Sequence, residues 1–129
     1  MRNQAILCVD DETIILLSLI QELKKAFGDK FLYEKALNSN EALITIDELI
    51  DEGVKVILII SDWLMPGIKG DEFIKLVHER YPEIKAVMIT GNADSTMIDY
   101  LRSLDSILGV LKKPWDHEEL LSLIRAAVD

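Results

Sequence analysis

The run Val56-Ile57-Leu58-Ile59-Ile60 constrains the fold of this chain more than any other feature. Five consecutive apolar residues leave no position for a solvated face, so the segment reads as a strand buried on both sides, as in a parallel sheet covered by helices. The run stops abruptly at Ser61 and a carboxylate, Asp62, and continues as Trp63-Leu64-Met65-Pro66-Gly67. A strand of this kind has no structural need for a negative charge at its end.

Similar short apolar runs alternate with helical patterns along the chain. Ala5 to Val9 is the first strand, and apolar residues at Leu16, Leu19, Ile20, Leu23 and Phe27 then form a helical stripe. Gly28 is its expected C-cap. Lys30 to Leu37 reads as a second strand, and Ser39 as the N-cap of a helix carrying Ala42, Leu43, Ile46, Leu49 and Ile50 up to Gly53. After the opening run come a helix marked by Phe73, Ile74 and Val77, a strand from Ile84 to Thr90, a weaker helix around Met97, Ile98 and Leu101, and a strand from Ile107 to Leu111. Asp116 and Glu119 have capping-box spacing ahead of the last helix. Strands alternating with helices predict an α/β fold, a doubly wound parallel sheet. At this size the expected solution is the flavodoxin-like (βα)5 arrangement with strand order 2-1-3-4-5, one domain over residues 1–129.

Composition narrows the function. Asp and Glu outnumber Lys and Arg by 23 to 14, which disfavours a phosphate-backbone binder and suits a protein that attracts cations. No apolar run approaches the roughly 20 residues of a membrane span. The start resembles no signal peptide, so the expected location is the cytoplasm. Cys8 is the lone cysteine and sits in an apolar strand, where it reads as an inert core residue. His78 and His117 read as solvated surface residues.

The polar residues at the strand ends are more specific. Asp10, Asp11 and Glu12 come after the first strand and Asp62 after the third, while Thr90 and Gly91 end the fourth, and Lys112, Lys113 and Pro114 end the fifth. In the 2-1-3-4-5 order the binding crevice lies beyond the carboxyl ends of strands one and three, so the acidic groups converge there. Two carboxylates about 4 Å apart repel by roughly 4 kcal/mol at an effective dielectric near 20. Either one takes up a proton or a cation sits among them, and all-oxygen ligands suit Mg2+. A hydroxyl from Thr90 and an ammonium from the Lys pair add a further requirement. They fit a carboxylate, Asp62, that attacks phosphorus and carries an acyl phosphate, with Gly91 leaving space beside it. Lys112 is as eligible as Lys113 by composition, but the register against Pro114 favours Lys113.

At this point the residues resemble a known family. "CVDDE", "SDWLMPGIKGDEF", "MITG" and "LKKPW" are similar to the receiver domain of bacterial two-component response regulators, and the likeness runs from Ile6 to Val128. The resemblance implies that Asp11 ligates Mg2+ directly and Asp10 through water. It implies that Asp62 is both ligand and phosphoacceptor, and that the Leu64 backbone carbonyl completes the protein ligands. Thr90 would be the switch hydroxyl and Lys113 the phosphate partner. The donor would be a phosphohistidine on a sensor histidine kinase or histidine phosphotransfer protein. Such a domain is no enzyme beyond its own phosphorylation and dephosphorylation, and it binds neither nucleic acid nor membrane itself. It has a possible dimer face in helix 4, strand 5 and helix 5. The family's cis Lys–Pro peptide is expected at Lys113–Pro114. Leu64 and Asn92 take positions that tune hydrolysis in the family, and imply an acyl phosphate of intermediate persistence. The chain departs from the family at Val110, where receivers carry Tyr or Phe. Output is therefore expected to run through the loop Gly91 to Ser95 and helix 4.

Plainer readings exist for each residue. The Asp10–Asp11 pair suits a turn or N-cap, Asp62 a strand-ending turn, Thr90 a strand position, and Lys113–Pro114 a loop. Trp63 and Trp115 read as rim packing, Met65, Pro66, Gly67 and Gly70 as loop-shaping residues, and Tyr100 as surface. Rival functions are an unphosphorylated docking module, an aspartate-nucleophile phosphatase and a flavin binder. The phosphatase needs a second Asp where Leu64 stands, and the flavin binder a first loop free of acids.

Overall fold

In the computed structural model, which describes residues 3–65, 67–91 and 95–128, the order of elements matches the hydrophobic punctuation of the sequence. Strand β1 (Gln4–Val9) leads to helix α1 (Thr13–Phe27), and a short 3-10 turn at Gly28–Lys30 leads to β2 (Leu32–Ala36). Next come α2 (Ser39–Asp51), β3 (Lys55–Asp62), α3 (Gly70–Arg80), β4 (Lys85–Thr90), α4 (Ser95–Arg102), β5 (Ile107–Lys112) and α5 (His117–Val128). The strands are all parallel and lie in the order β2-β1-β3-β4-β5, the expected flavodoxin-like solution.

The sheet separates two cores. Ala5, Leu7 and Val9 of β1 pack with Val56, Ile59, Ala86, Met88 and the apolar faces of α2, α3 and α4. Ile6 and Cys8 point the other way, with Leu58, Ile60, Val87, Ile89 and the buried stripes of α1 and α5. Strand β3 is central and both its faces are covered by helices, which is why its run from Val56 to Ile60 can be apolar. Cys8 is fully buried and its thiol is pushed up to about 12 by burial, the inert core residue expected.

Two register shifts decide which way the strand ends face. Ala5 pairs with Val56 but Ile6 pairs with Leu58, so Ile57 is an extra residue on β3. Ala86 pairs with Ile107 but Val87 pairs with Gly109, so Leu108 plays the same part on β5. Beyond these bulges Ser61 stands beside Val9, and Lys112 beside Thr90. Gly109 also lets α5 approach, since a Cβ there would lie 2.8 Å from a Leu123 methyl.

Helix ends obey local chemistry, with one correction. Gly28 closes α1 at φ 56°, a backbone conformation that favours glycine. The N-cap of α2 is Asn38, whose side-chain oxygen accepts from the Glu41 amide at 2.8 Å. Ser39, the expected cap, instead donates its hydroxyl to the Ile68 carbonyl at 2.8 Å, tying α2 to the loop after β3. Asp116 does accept from the Glu119 amide at 2.9 Å ahead of α5.

Candidate phosphoacceptor and metal site

The carboxyl ends of β1, β3, β4 and β5 open into a cleft of about 360 Å³ lined by Asp11, Glu12, Asp62, Trp63, Leu64, Thr90, Gly91 and Lys113. Each of these residues succeeds or ends a strand, so the rigid sheet sets their mutual positions.

Asp10 lies just below the cleft floor and is buried. Its amide donates to the Ala36 carbonyl at 3.2 Å, extending the β1–β2 ladder. One carboxylate oxygen accepts from the Glu12 amide at 2.8 Å and the other from Lys113 Nζ at 2.9 Å. The turn-forming reading of Asp10 is therefore correct in part: it shapes the loop and also supplies charge. Asp11 is exposed toward the cleft. Asp62 ends β3 and is only 6% exposed. One oxygen from each of Asp10, Asp11 and Asp62 lies within 4.8 Å of the others, a spacing that fits one hard cation.

The electrostatics record a deficit of positive charge. Burial first, then the charge of Asp10, push the Asp62 carboxyl up to about 6, against the opposing pull of Lys113. Lys113 Nζ stands 3.4 Å from Asp62 and 3.7 Å from Glu12. Burial lowers the Lys113 pKa, but the hydrogen bond to Asp10 and the charges of Asp62 and Asp10 outweigh it and hold the ammonium charged. One ammonium among four carboxylates leaves the cluster negative, and a divalent oxygen-binding ion supplies the missing charge.

Thr90 and the Lys pair fall at the ends of β4 and β5. Thr90 is buried at the end of β4, and its carbonyl accepts from the Lys113 amide at 2.8 Å, which joins the hydroxyl and the ammonium to one frame. Lys112 is exposed while Lys113 turns inward, so the choice between them falls to Lys113. The Lys113–Pro114 peptide is cis. Leu64 lines the cleft with a side chain 62% exposed. Asn92 and Pro66 lie outside the described residues. Val110 is buried opposite Met88, in the same core as Ile98 and Leu101 of α4.

Several features were not legible beforehand. The Trp63 indole donates to Asp71 Oδ1 of α3 at 3.1 Å, and Lys69 Nζ lies 5.4 Å from its ring. Neither Asp71 nor Lys69 stands out in the sequence, because the loop that returns them to Trp63 has no periodic signature. On the opposite rim, Trp115 donates to Glu22 at 3.1 Å and His117 Nδ1 lies 2.7 Å from the same carboxylate. His78, expected at the solvated surface, is half-buried, and its Nδ1 has no hydrogen-bond partner among the described residues.

The fold agrees with what known proteins show. The chain belongs to the response regulator receiver domain family, whose sequence pattern matches residues 6–125. It is thus a receiver domain of two-component signalling; receivers generally bind Mg2+, and the cluster of Asp10, Asp11 and Asp62 could hold such an ion. It is 33% identical over 128 residues to the hydrogenase transcriptional regulatory protein HoxA of Cupriavidus necator, covering 99% of this chain and 25% of HoxA. It is 24% identical to the sensor kinase CckA of Brucella abortus, over 98% of this chain and 13% of that protein. The chain therefore spans about a quarter or less of these relatives. Among solved structures it is similar to the signal receiver domain of an HD domain-containing protein from Pseudomonas fluorescens, with 29% identity, a TM-score of 0.82 and coverage of 98% and 95% of the two chains. Likeness to the chemotaxis response regulator CheY4 of Vibrio cholerae gives 26% identity and a TM-score of 0.76, over 97% and 98%. No helix among the described residues is long and apolar enough to cross a membrane.

Proposed function

We propose that this chain is a single receiver domain that takes a phosphoryl group onto Asp62 from a phosphohistidine of a histidine kinase or phosphotransfer protein, in a Mg2+-dependent reaction, and so switches a partner or output module. One observation carries the proposal. The Asp62 carboxylate ends the central strand in a cleft, flanked by two more carboxylates, an inward lysine and a buried threonine.

In the proposed step an Asp62 oxygen attacks phosphorus, the O–P bond forms, and the N–P bond to the donor imidazole breaks, returning its electron pair to nitrogen. Lys113 then shifts its hydrogen bond from Asp10 toward the new phosphoryl oxygens, and the Thr90 hydroxyl donates to another. Asp11, facing the cleft, would hold the ion directly with Asp62 and the Leu64 carbonyl. Asp10, already engaged on both oxygens, would act through water. Bound Mg2+ would supply charge neutralisation on the phosphoryl oxygens. The residues present fit that ion by donor type and by number.

With Val110 in place of the family's aromatic residue, the change would pass to α4, whose Ile98 shares a core with Val110. A partner or second copy would read it on the face formed by α4, β5 and α5. Like the phosphodonor, the chain would act in the cytoplasm. The test is incubation with acetyl phosphate and Mg2+. The intact protein should gain one phosphoryl mass and lose Trp63 fluorescence, and Asp62→Asn should do neither. A wild-type chain that gains no mass, or that turns over a phosphomonoester catalytically, would refute the proposal.

A further inference from the structure

The chain leaves the sheet after Trp63 and is back beside it at Gly70. On the outgoing side the Trp63 amide donates to the Ile89 carbonyl at 2.9 Å, and its carbonyl accepts from the Gly70 amide at 2.8 Å. These bonds fix the backbone on either side of the Trp63 α-carbon. The next peptide, the one bearing the Leu64 carbonyl, runs on to Met65, which is buried in the core. Leu64 itself contributes little, since an exposed side chain gives no packing to restrain its backbone.

The Trp63 indole adds a side-chain anchor to this strand end. The ring is half-buried against the core under α3, its N–H reaches Asp71 Oδ1 at 3.1 Å, and the Lys69 ammonium stands 5.4 Å from the ring centroid. A buried-edge indole with a charged acceptor is a strong and directional bond. The lysine adds attraction through the ring quadrupole. Asp71 lies in the first turn of α3, where the helix dipole also favours its charge.

From this arrangement we infer that Asp71 is a positioning residue for the metal site: by holding the Trp63 indole it steadies the strand end that carries Asp62 on one side of Trp63 and Leu64 on the other. This rests on the proposed function, because it concerns the ion that Asp62 and the Leu64 carbonyl would ligate. Outer partners that orient ligands generally matter to metal affinity although they never touch the ion.

The experiment is Mg2+ binding to the full chain by titration calorimetry, with thermal unfolding recorded for every variant. Asp71→Ala should weaken Mg2+ binding by about tenfold. Asp71→Asn, which loses the charge but keeps an oxygen acceptor, should restore most of that affinity. Trp63→Phe, which removes the donor, should match Asp71→Ala, and the double variant should be no weaker than either single one. Equal loss in Asp71→Asn and Asp71→Ala would overturn the inference, because the effect would then be long-range charge alone. Additive losses in the double variant, or wild-type affinity in Asp71→Ala, would overturn it as well. A wild-type chain that binds no Mg2+ would instead bring down the proposed function, and this inference with it. Should Asp71→Ala not fold, the comparison of Asp71→Asn with Trp63→Phe decides the matter: affinity must fall in the second and not in the first.

Discussion

The ammonium of Lys113 is bonded to Asp10 at 2.9 Å and lies farther from Asp62, at 3.4 Å. The lysine serves as a resident cation for the acidic cluster, and on the proposed function it would partly leave Asp10 for a phosphoryl group on Asp62. Lys113→Met should therefore have opposite effects on two measurements. Mg2+ affinity should rise, because a competing positive charge is gone. The rate of phosphorylation by acetyl phosphate should fall by about a hundredfold, because a donor to the transferring oxygens is gone. Calorimetry and mass spectrometry on one preparation check both, and a parallel fall in the two would contradict this division of roles.

The raised Asp62 pKa makes a stability prediction with a definite sign. Its carboxyl titrates at about 6 in the folded chain against 3.8 for the ordinary group. Between those values the native state binds the proton that the unfolded state has lost. The contribution of Asp62 to stability is thus fully present below about pH 4, declines as pH rises to about 6, and is absent above it. Asp62→Asn removes this loss. In EDTA at pH 7.5 the variant should be more stable than wild type by about 2 kcal/mol, and the gap should close at pH 4. Paired urea titrations at the two pH values measure it. Mg2+ should narrow the gap at pH 7.5 by stabilising the wild type.

Leu64 lines the same cleft as Asp62. Its side chain borders the cleft, is mostly exposed, and has no group that can hold a water. Leu64→Asn places an amide there and should shorten the lifetime of the acyl phosphate several-fold, with little change in thermal stability. Monitoring the loss of phosphoryl mass after removal of acetyl phosphate checks this. An unaltered lifetime would remove Leu64 from the control of hydrolysis.

How much of the molecule is readable from its sequence differs by element, for physical reasons. Strand and helix positions come directly from apolar spacing, and the convergence of Asp10, Asp11, Asp62, Thr90 and Lys113 comes from sheet topology. The bulges at Ile57 and Leu108 do not, because a strand buried on both faces has no alternation to reveal a phase change. Asn38 and Ser39 are both good caps by type, and only the tertiary contact of Ser39 with Ile68 decides between them. The Trp63–Asp71 bond joins residues across an irregular loop, and no periodic rule links such positions. The half-buried ring of His78 likewise depends on how α3 packs, which its place near the end of a helical pattern does not reveal.

Gly70 supplies the last prediction, and it rests on space alone. It opens α3 directly against the end of β3. A Cβ there would lie 2.6 Å from the Asp62 carbonyl, 2.9 Å from the Trp63 α-carbon and 2.5 Å from the Met88 methyl. The methionine tip can rotate away, but the two backbone atoms belong to Asp62, which ends the central strand, and to Trp63 beside it. Relief must come from moving α3 outward or β3 sideways. Gly70→Ala should therefore destabilise the chain by about 2 kcal/mol. It should also reduce Asp62 phosphorylation by more than the lost stability explains, because the displaced atoms carry the reacting carboxylate. Comparing phosphorylation rates below the unfolding transition with urea midpoints separates the two effects. A variant of wild-type stability would mean that α3 is not seated on β3 at this distance.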